Sequence, residues 1–282
     1  MLDRVDRVQL AVRDGASAAQ TFFNLLGAEH VRDDRVRVLG ARRSVVQAGE
    51  SEFELLEPDG EGPVARHLER WGEGIFAGGF SSPDLQGLAR RLEQRGVRFA
   101  EEGQQLFIEP EQTRGMRMVI SPAGSRQDAG LITGLYEVTN IVQDHKEAAA
   151  FYAGAFGLDA SRFCPVGSEQ YGYTGTLTMF NPPQRLDRIE LTQITEPTRA
   201  MGRFFARRGP SIYMCYAETP DVAALQQRLR THEARFAGDP GDPERPNLFI
   251  HPSSLHGMLM GVSRTNFAWT WSGRPELART GG

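Results

Sequence analysis

Cysteine is almost missing from this chain. Cys164 and Cys215 are the two present, and their spacing matches neither a metal knuckle nor a disulfide framework. That excludes a zinc-ribbon or disulfide-stapled domain and implies a reduced, cytoplasmic setting. Long apolar runs are missing too. Nothing approaches the ~18 consecutive apolar residues of a membrane span, and the opening MLDRVDRVQLAV has no apolar signal core. Lysine is scarce beside arginine, and acids are interspersed among the arginines. With a net charge of −4 and a pI near 5.9 there is no basic stripe, which argues against a nucleic-acid surface. The Gly-rich stretch around Tyr171 and Tyr173, QYGYTG, lacks the Lys and the spacing of a phosphate loop. No Ser-His-Asp or Cys-His order has a recognisable local signature. The partner left by these exclusions is a small molecule, held by a monomer or homodimer without nucleic acid or membrane.

What is present is repetition. Leu106 to Ser121 reads LFIEPEQTRGMRMVIS, and Leu248 to Ser263 reads LFIHPSSLHGMLMGVS. Each is a short apolar strand, a polar turn, and a Gly that opens a second apolar strand, which predicts a hairpin. Leu106 and Gly115 map onto Leu248 and Gly257 without a gap. The repeat extends further. Glu54-Leu55-Leu56 pairs with Glu190-Leu191-Thr192, Ser82-Pro-Asp84 with Thr219-Pro-Asp221, and Arg95–Phe99 with His232–Phe236. Two copies of one hairpin therefore mean two copies of a larger unit.

Within each half the order strand, helix, strands occurs twice. Val5 to Val12 predicts a strand. Ser17 to Leu26 predicts an amphipathic helix stopped by Gly27, and Lys146 to Phe156 one stopped by Gly157. Short strands are expected at Val36 to Leu39, Val97 to Phe99, Thr174 to Phe180 and Arg188 to Ile194. The fold class is thus α+β, with four βαβββ modules taken two at a time. A first domain covers 1–122, a polar linker 123–131, a second domain 132–264, and a tail 265–282 carries Trp269 and Trp271 onto the body. Gly238 to Pro246, GDPGDPERP, reads as a rigid acidic loop.

These residues resemble the vicinal oxygen chelate superfamily, which includes glyoxalases, bleomycin resistance proteins and extradiol dioxygenases. FELLEPDGEGPVARHLERWGEGI followed by LFIEPEQTRGMRMVIS is most similar to methylmalonyl-CoA epimerase and glyoxalase I, and FIHPSSLHG is similar to a turn common in epimerases. The resemblance implies two cupped eight-stranded mixed sheets with helices on the convex side and a site in each cup. It also implies metal ligands on the first and last strands of each module. In the first half those positions fall on Arg7, Glu54, Ala77 and Val119, which suit an ion pair and not a metal. In the second half they fall on Glu137, Glu190, Met214 and Gly261. No His stands at the usual His positions.

The second half therefore carries the candidate site. Alternation places Glu137 on one strand face with Leu135, Thr139 and Ile141, and Glu190 with Arg188 and Thr192. Two carboxylates close together in a partly dry cup need compensation. A divalent metal (Fe, Mn, Zn, Ni or Mg) held by Glu137 and Glu190 would supply a Lewis acid. A shared proton would make an acid–base pair and require no cofactor. A cation, Arg188 or Arg162, would make an inert ion pair. His256, just before Gly257, is the candidate third catalytic group. Thr139, Met214, Tyr216 and Tyr173 are the candidate substrate contacts, suited to an oxygenated, aromatic metabolite. Isomerase, lyase or ring-cleaving oxygenase chemistry fits such a cup. The alternative is a non-catalytic protein that sequesters a hydrophobic molecule.

Overall fold

The protein is described by a computed structural model covering residues 1–238 and 247–279. The acidic loop expected at 238–246 lies outside the described residues, save for Gly238.

The first half contains β1 (Arg4–Ala11), α1 (Gly15–Leu26), β2 (Glu29–Val36), β3 (Ala41–Ala48), β4 (Ser51–Pro58), α2 (Pro63–Trp71), β5 (Gly74–Ser82), α3 (Leu85–Gln94), β6 (Ala100–Glu102), β7 (Gln105–Ile108) and β8 (Met118–Pro122). The second half contains β9 (Gly134–Ile141), α4 (His145–Phe156), β10 (Cys164–Ser168), β11 (Tyr173–Met179), β12 (Arg188–Ile194), α5 (Ala200–Arg208), β13 (Ser211–Thr219), α6 (Val222–Thr231), β14 (Phe236–Ala237), β15 (Asn247–Ile250) and β16 (Met260–Arg264). The strands form two eight-stranded mixed sheets, ordered β2-β3-β4-β1-β5-β8-β7-β6 and β10-β11-β12-β9-β13-β16-β15-β14. The orders are identical position by position, as the repeated sequence implies.

Local chemistry explains why the copies match. Asp14 accepts a hydrogen bond from Ser17 N at 2.9 Å and starts α1, while Gly27 ends it at φ 66°. Asp144 and Gly157 (φ 73°) do the same for α4. Asp84 and Asp221 cap α3 and α6. Two short expectations fail. Val36 to Leu39 is not one strand: β2 ends at Val36, and Arg37–Leu39 turns into a 3-10 helix that buries Leu39. Val97 to Phe99 is irregular, and the strand begins at Ala100.

The convex faces share one core. Val5, Val8, Phe22 and Phe80 from the first half pack in the same apolar cluster as Val138, Phe156, Ile189 and Leu225 from the second. Polar ties fasten it: Val5 N donates to Asp187 at 2.7 Å, and the Tyr152 hydroxyl donates to Thr113 O at 2.8 Å. Both concave faces point away from this shared core, so each cup is built from one half alone.

The first cup is filled by its own side chains. Glu54, fully buried, accepts from Arg7 (2.8 Å), Gln9 (2.7 Å), Arg43 (3.0 Å) and Gln105 (3.1 Å). Ala77 and Val119 beside them are apolar and buried. Arg7 fits only because Gly79 faces it, since a Cβ there would stand 1.9 Å from Arg7 Cγ. Gly79→Ala is therefore expected to destabilise the protein by about 1–3 kcal/mol through overpacking. Thermal unfolding checks this, and an unchanged midpoint would contradict it.

Candidate functional site

The candidate site is the concave face of the second sheet. β12 runs parallel to β9, with Arg188 opposite Glu137 and Glu190 opposite Thr139. Alternation along β12 sends Ile189 and Leu191 into the core and leaves Arg188, Glu190 and Thr192 on the cup side. On β9 the alternation is broken. The pairing with β13 passes from Tyr216↔Glu137 to Ala217↔Leu135, which leaves Tyr136 as an unpaired extra residue. Tyr136 and Glu137 therefore both face the cup. Leu135, expected on the face of Glu137, is instead in the core with Val138. The same bulge occurs at Asp6 in β1, where Val5↔Phe80 is followed by Arg7↔Gly79.

The two carboxylates are brought together, and one of them is clasped. Arg188, fully buried, donates from Nε to Glu137 Oε2 at 2.7 Å and lies over the Tyr136 ring at 4.9 Å. The Thr139 hydroxyl donates to the other Glu137 oxygen at 3.1 Å. Glu190 lies beside Glu137 and receives the Thr192 hydroxyl at 3.1 Å. Burial pushes the Glu190 carboxyl well above the ordinary carboxylate range, and the charge of Glu137 adds to it. Of the three compensations open in the sequence, the structure places the cation: Arg188 sits on Glu137. Arg162, the other candidate cation, lies elsewhere, bonded to Phe180 O at 3.0 Å and Asn181 Oδ1 at 3.1 Å.

Around the pair stand the expected neighbours. Met214 lies opposite Thr139 on β13 and is buried. Tyr173 lies near Glu190, and burial, then Glu190 itself, raises its phenol. Tyr216 stacks on Tyr136 at 5.9 Å and meets the edge of Phe249 at 5.7 Å. Gly261 makes room for the Tyr216 ring, because a Cβ there would stand 2.1 Å from it.

His256 does not join them. Its Nε2 is 3.1 Å from Thr21 Oγ1 and its Nδ1 is 3.1 Å from Glu73 Oε2. Both ring nitrogens are thus engaged by the first half, and His256 ties the halves together. Its backbone is in the left-handed region at φ 46°, matching Arg114 at φ 58° in the twin hairpin. A side chain launched from that conformation leaves the strand direction, which strand periodicity does not show.

The tail covers part of the cup. Trp269, Ala268 and Ala278 pack in one apolar cluster with Tyr136, Leu177, Met179 and Leu186. Their apolarity marks these tail residues for docking, but nothing in their order says where.

A resident divalent metal is implied by the resemblance, and the residues do not fit it. Such sites need several oxygen or nitrogen donors. The four implied positions hold two carboxylates, a thioether and a glycine. One carboxylate already carries a guanidinium in contact, and a dication beside Arg188 would be repelled. Among the described residues no group of three or more His, Cys, Asp or Glu is arranged to hold a metal ion. Also among the described residues, no helix is long and apolar enough to cross a membrane.

Comparison with known proteins is consistent with this architecture. Residues 134–259 and, separately, residues 6–109 match sequence profiles of the Glyoxalase/Bleomycin resistance protein/Dioxygenase superfamily. The uncharacterised protein YqjC of Bacillus subtilis (strain 168) is 28% identical over 137 residues, which is 45% of this chain and 98% of that protein. A triple mutant of 4-hydroxymandelate synthase from Streptomyces coelicolor superposes with a TM-score of 0.68 at 17% identity, covering 93% of this chain and 92% of that one. Methylmalonyl-CoA epimerase from Mycobacterium tuberculosis matches 48% of this chain and 89% of its own at 24% identity, with a TM-score of 0.41.

Proposed function

The chain belongs to the Glyoxalase/Bleomycin resistance protein/Dioxygenase superfamily in tandem form, and from that premise we propose that its second cup is the working site of a small-molecule enzyme that moves a proton with Glu190. The observation that carries this reading is the pair of buried carboxyls, Glu190 beside Glu137 on adjacent strands. A carboxyl whose hold on its proton is raised by burial can donate to a carbonyl oxygen, and a carboxylate beside it can receive a proton from the adjacent carbon.

In such a step the C–H bond next to the carbonyl breaks and its proton passes to Glu137. The electron pair forms the carbon–carbon double bond of an enol as the oxygen takes the Glu190 proton. Return of a proton to carbon gives isomerisation, and loss of a leaving group gives lyase chemistry. Arg188 positions Glu137 and holds its charge near the reacting carbon. Thr139, Met214, Tyr216 and Tyr173 would line the place of an oxygenated, flat substrate. A ring-cleaving oxygenase needs a donor set that these residues do not provide, so proton transfer is favoured. The first cup, filled by the Glu54 network, acts as a structural partner.

Deuterium exchange tests the reading. With a panel of 2-oxo acids and acyl thioesters in heavy water, the wild type should label the carbon next to the carbonyl of at least one compound. Glu190→Gln should lower that rate by about 10²-fold or more. Stoichiometric metal in tag-free protein, lost in both Glu137→Gln and Glu190→Gln, would sink it.

A second reading, a binding protein for a hydrophobic molecule, is favoured by one observation: Trp269 and the tail cover the apolar part of the cup. Tight uptake of an apolar ligand with no exchange into any carbonyl compound would support that reading over the first.

A further inference from the structure

Away from the second cup, a groove of about 850 Å³ runs along the seam between the halves. One wall is α2 with the start of β5, another is the 109–117 turn, and the third is the end of α5 with the start of β13. Five arginines line it, Arg66, Arg70, Arg114, Arg117 and Arg208, against the glutamates Glu69, Glu109 and Glu111. Two of the five are neutralised: Arg114 by Glu147 at 3.1 Å, and Arg117 by Glu109. Among the described residues, Arg66, Arg70 and Arg208 make no ion pair.

Arg208 is the centre of the groove. Its guanidinium lies over Trp71 at 4.9 Å and over Phe204 at 5.2 Å, and Nη2 donates to Trp71 O at 3.3 Å. Its Nε is buried without a hydrogen-bond partner among the described residues, and so is Nε2 of His67 beside it. Burial lowers the Arg208 pKa from its ordinary value, and Arg207 lowers it further. Burial brings His67 down to about 4, with Arg208 and Arg117 contributing. His67 meets Phe76 edge-on at 5.5 Å. The floor thus offers two unsatisfied nitrogens, one of them on a cation, between flat aromatic faces. Buried polar groups without partners are costly, and a ligand that satisfies them recovers that cost.

We propose that this groove is a binding site for a small organic anion, with its carboxylate or phosphate group on Arg208, Arg66 and His67 and its planar apolar body against Trp71 and Phe76. A guanidinium fork suits either anionic group, and aromatic walls favour a body over a bare ion. The site straddles the two halves, so its occupant bridges them, and it is separate from the Glu190 cup.

Calorimetry and tryptophan fluorescence on the full chain test this, with benzoate, phenyl phosphate and inorganic phosphate as probes. At least one organic probe should bind saturably and more tightly than inorganic phosphate. A preference for benzoate or for phenyl phosphate identifies the anionic group. Arg208→Met should weaken binding by about tenfold or more, the loss expected for a charged hydrogen bond. Should Arg208→Met fail to fold, exposed Arg66→Gln should weaken binding less but measurably, and Trp71→Phe should reduce the fluorescence response. Glu190→Gln should leave binding unchanged, which separates this site from the cup. No saturable binding of any probe up to about 10 mM, or equal affinity in Arg208→Met and Arg66→Gln, would overturn the proposal.

Discussion

Glu54→Ala is expected to lower the unfolding free energy by about 3–5 kcal/mol, because it strands buried charge. Arg7 is 4% exposed, and its guanidinium reaches Glu54 at 2.8 Å, Asp6 at 2.9 Å and Glu52 at 2.9 Å. Arg43 is shared between Glu54 at 3.0 Å and Asp34 at 2.7 Å. Removing Glu54 leaves both cations with acids at the margin and none at the centre, while Gln9 loses its acceptor and Gln105 keeps only Ser121. The pH dependence follows from the same network. Burial alone would raise the Glu54 carboxyl, yet Arg7 and Arg43 outweigh it and bring it from an ordinary 4.5 to about 2. A carboxyl depressed in the folded state stabilises the fold above its unfolded pKa and loses that contribution as the pH falls through its folded pKa. The wild type should therefore lose on the order of 3 kcal/mol between pH 4.5 and 2 through this one group. Urea unfolding across that range measures it, and Glu54→Ala should lack that part of the slope. A cost below about 1 kcal/mol would mean that the network relaxes onto Glu52 and Asp34 and that Glu54 is not its keystone.

Glu190 has the opposite sign. Its carboxyl is raised in the folded state, so folding binds a proton that the unfolded chain releases above its ordinary pKa of 4.5. Stability from this group is lost as the pH rises from that value through the folded pKa. Glu190→Gln should therefore raise the melting temperature at pH 8 relative to wild type while removing exchange activity, a pattern typical of a group kept for chemistry at the expense of stability. A variant destabilised equally at pH 4 and pH 8 would assign Glu190 to packing alone.

How much of this was legible in the sequence differs by level. The architecture was, because the twin hairpins, the Asp caps and the Gly stops recur at matched positions, and each rests on local chemistry. The Glu190 face was legible too, since alternation along β12 is unbroken. The place of Leu135 and Tyr136 was not. A bulge is fixed by what the partner strand skips, and β13 is more than seventy residues away from β9 along the chain. His256 was misplaced for a related reason: its partners, Thr21 and Glu73, come from the other half. The anion groove was invisible because its walls come from α2, the 109–117 turn and α5, which come together only when the two halves pack. Pairwise contacts within a module follow from periodicity, whereas contacts between modules follow from how the sheets pack.

The clasp of Glu137 by Arg188 gives the sharpest test of the second cup. Arg188→Met should cost about 3–5 kcal/mol, since it leaves a carboxylate buried at 0% exposure beside Glu190. The paired variant Arg188→Met with Glu137→Leu should regain most of that loss, because replacing both members of a buried pair by apolar groups is often near neutral. The cycle isolates the coupling between the two residues. Its functional arm runs through Glu190. The Arg188 charge opposes the rise of the Glu190 carboxyl, so in Arg188→Met the Glu190 proton should be held more tightly still. Exchange activity should then fall, and its alkaline limb should move to higher pH. The acid–base reading and the inert ion pair separate here, because both predict the loss of stability but only the former predicts the moved limb. A stable Arg188→Met protein with an unmoved pH profile would remove Arg188 as the positioning residue and show that proton transfer does not depend on its charge.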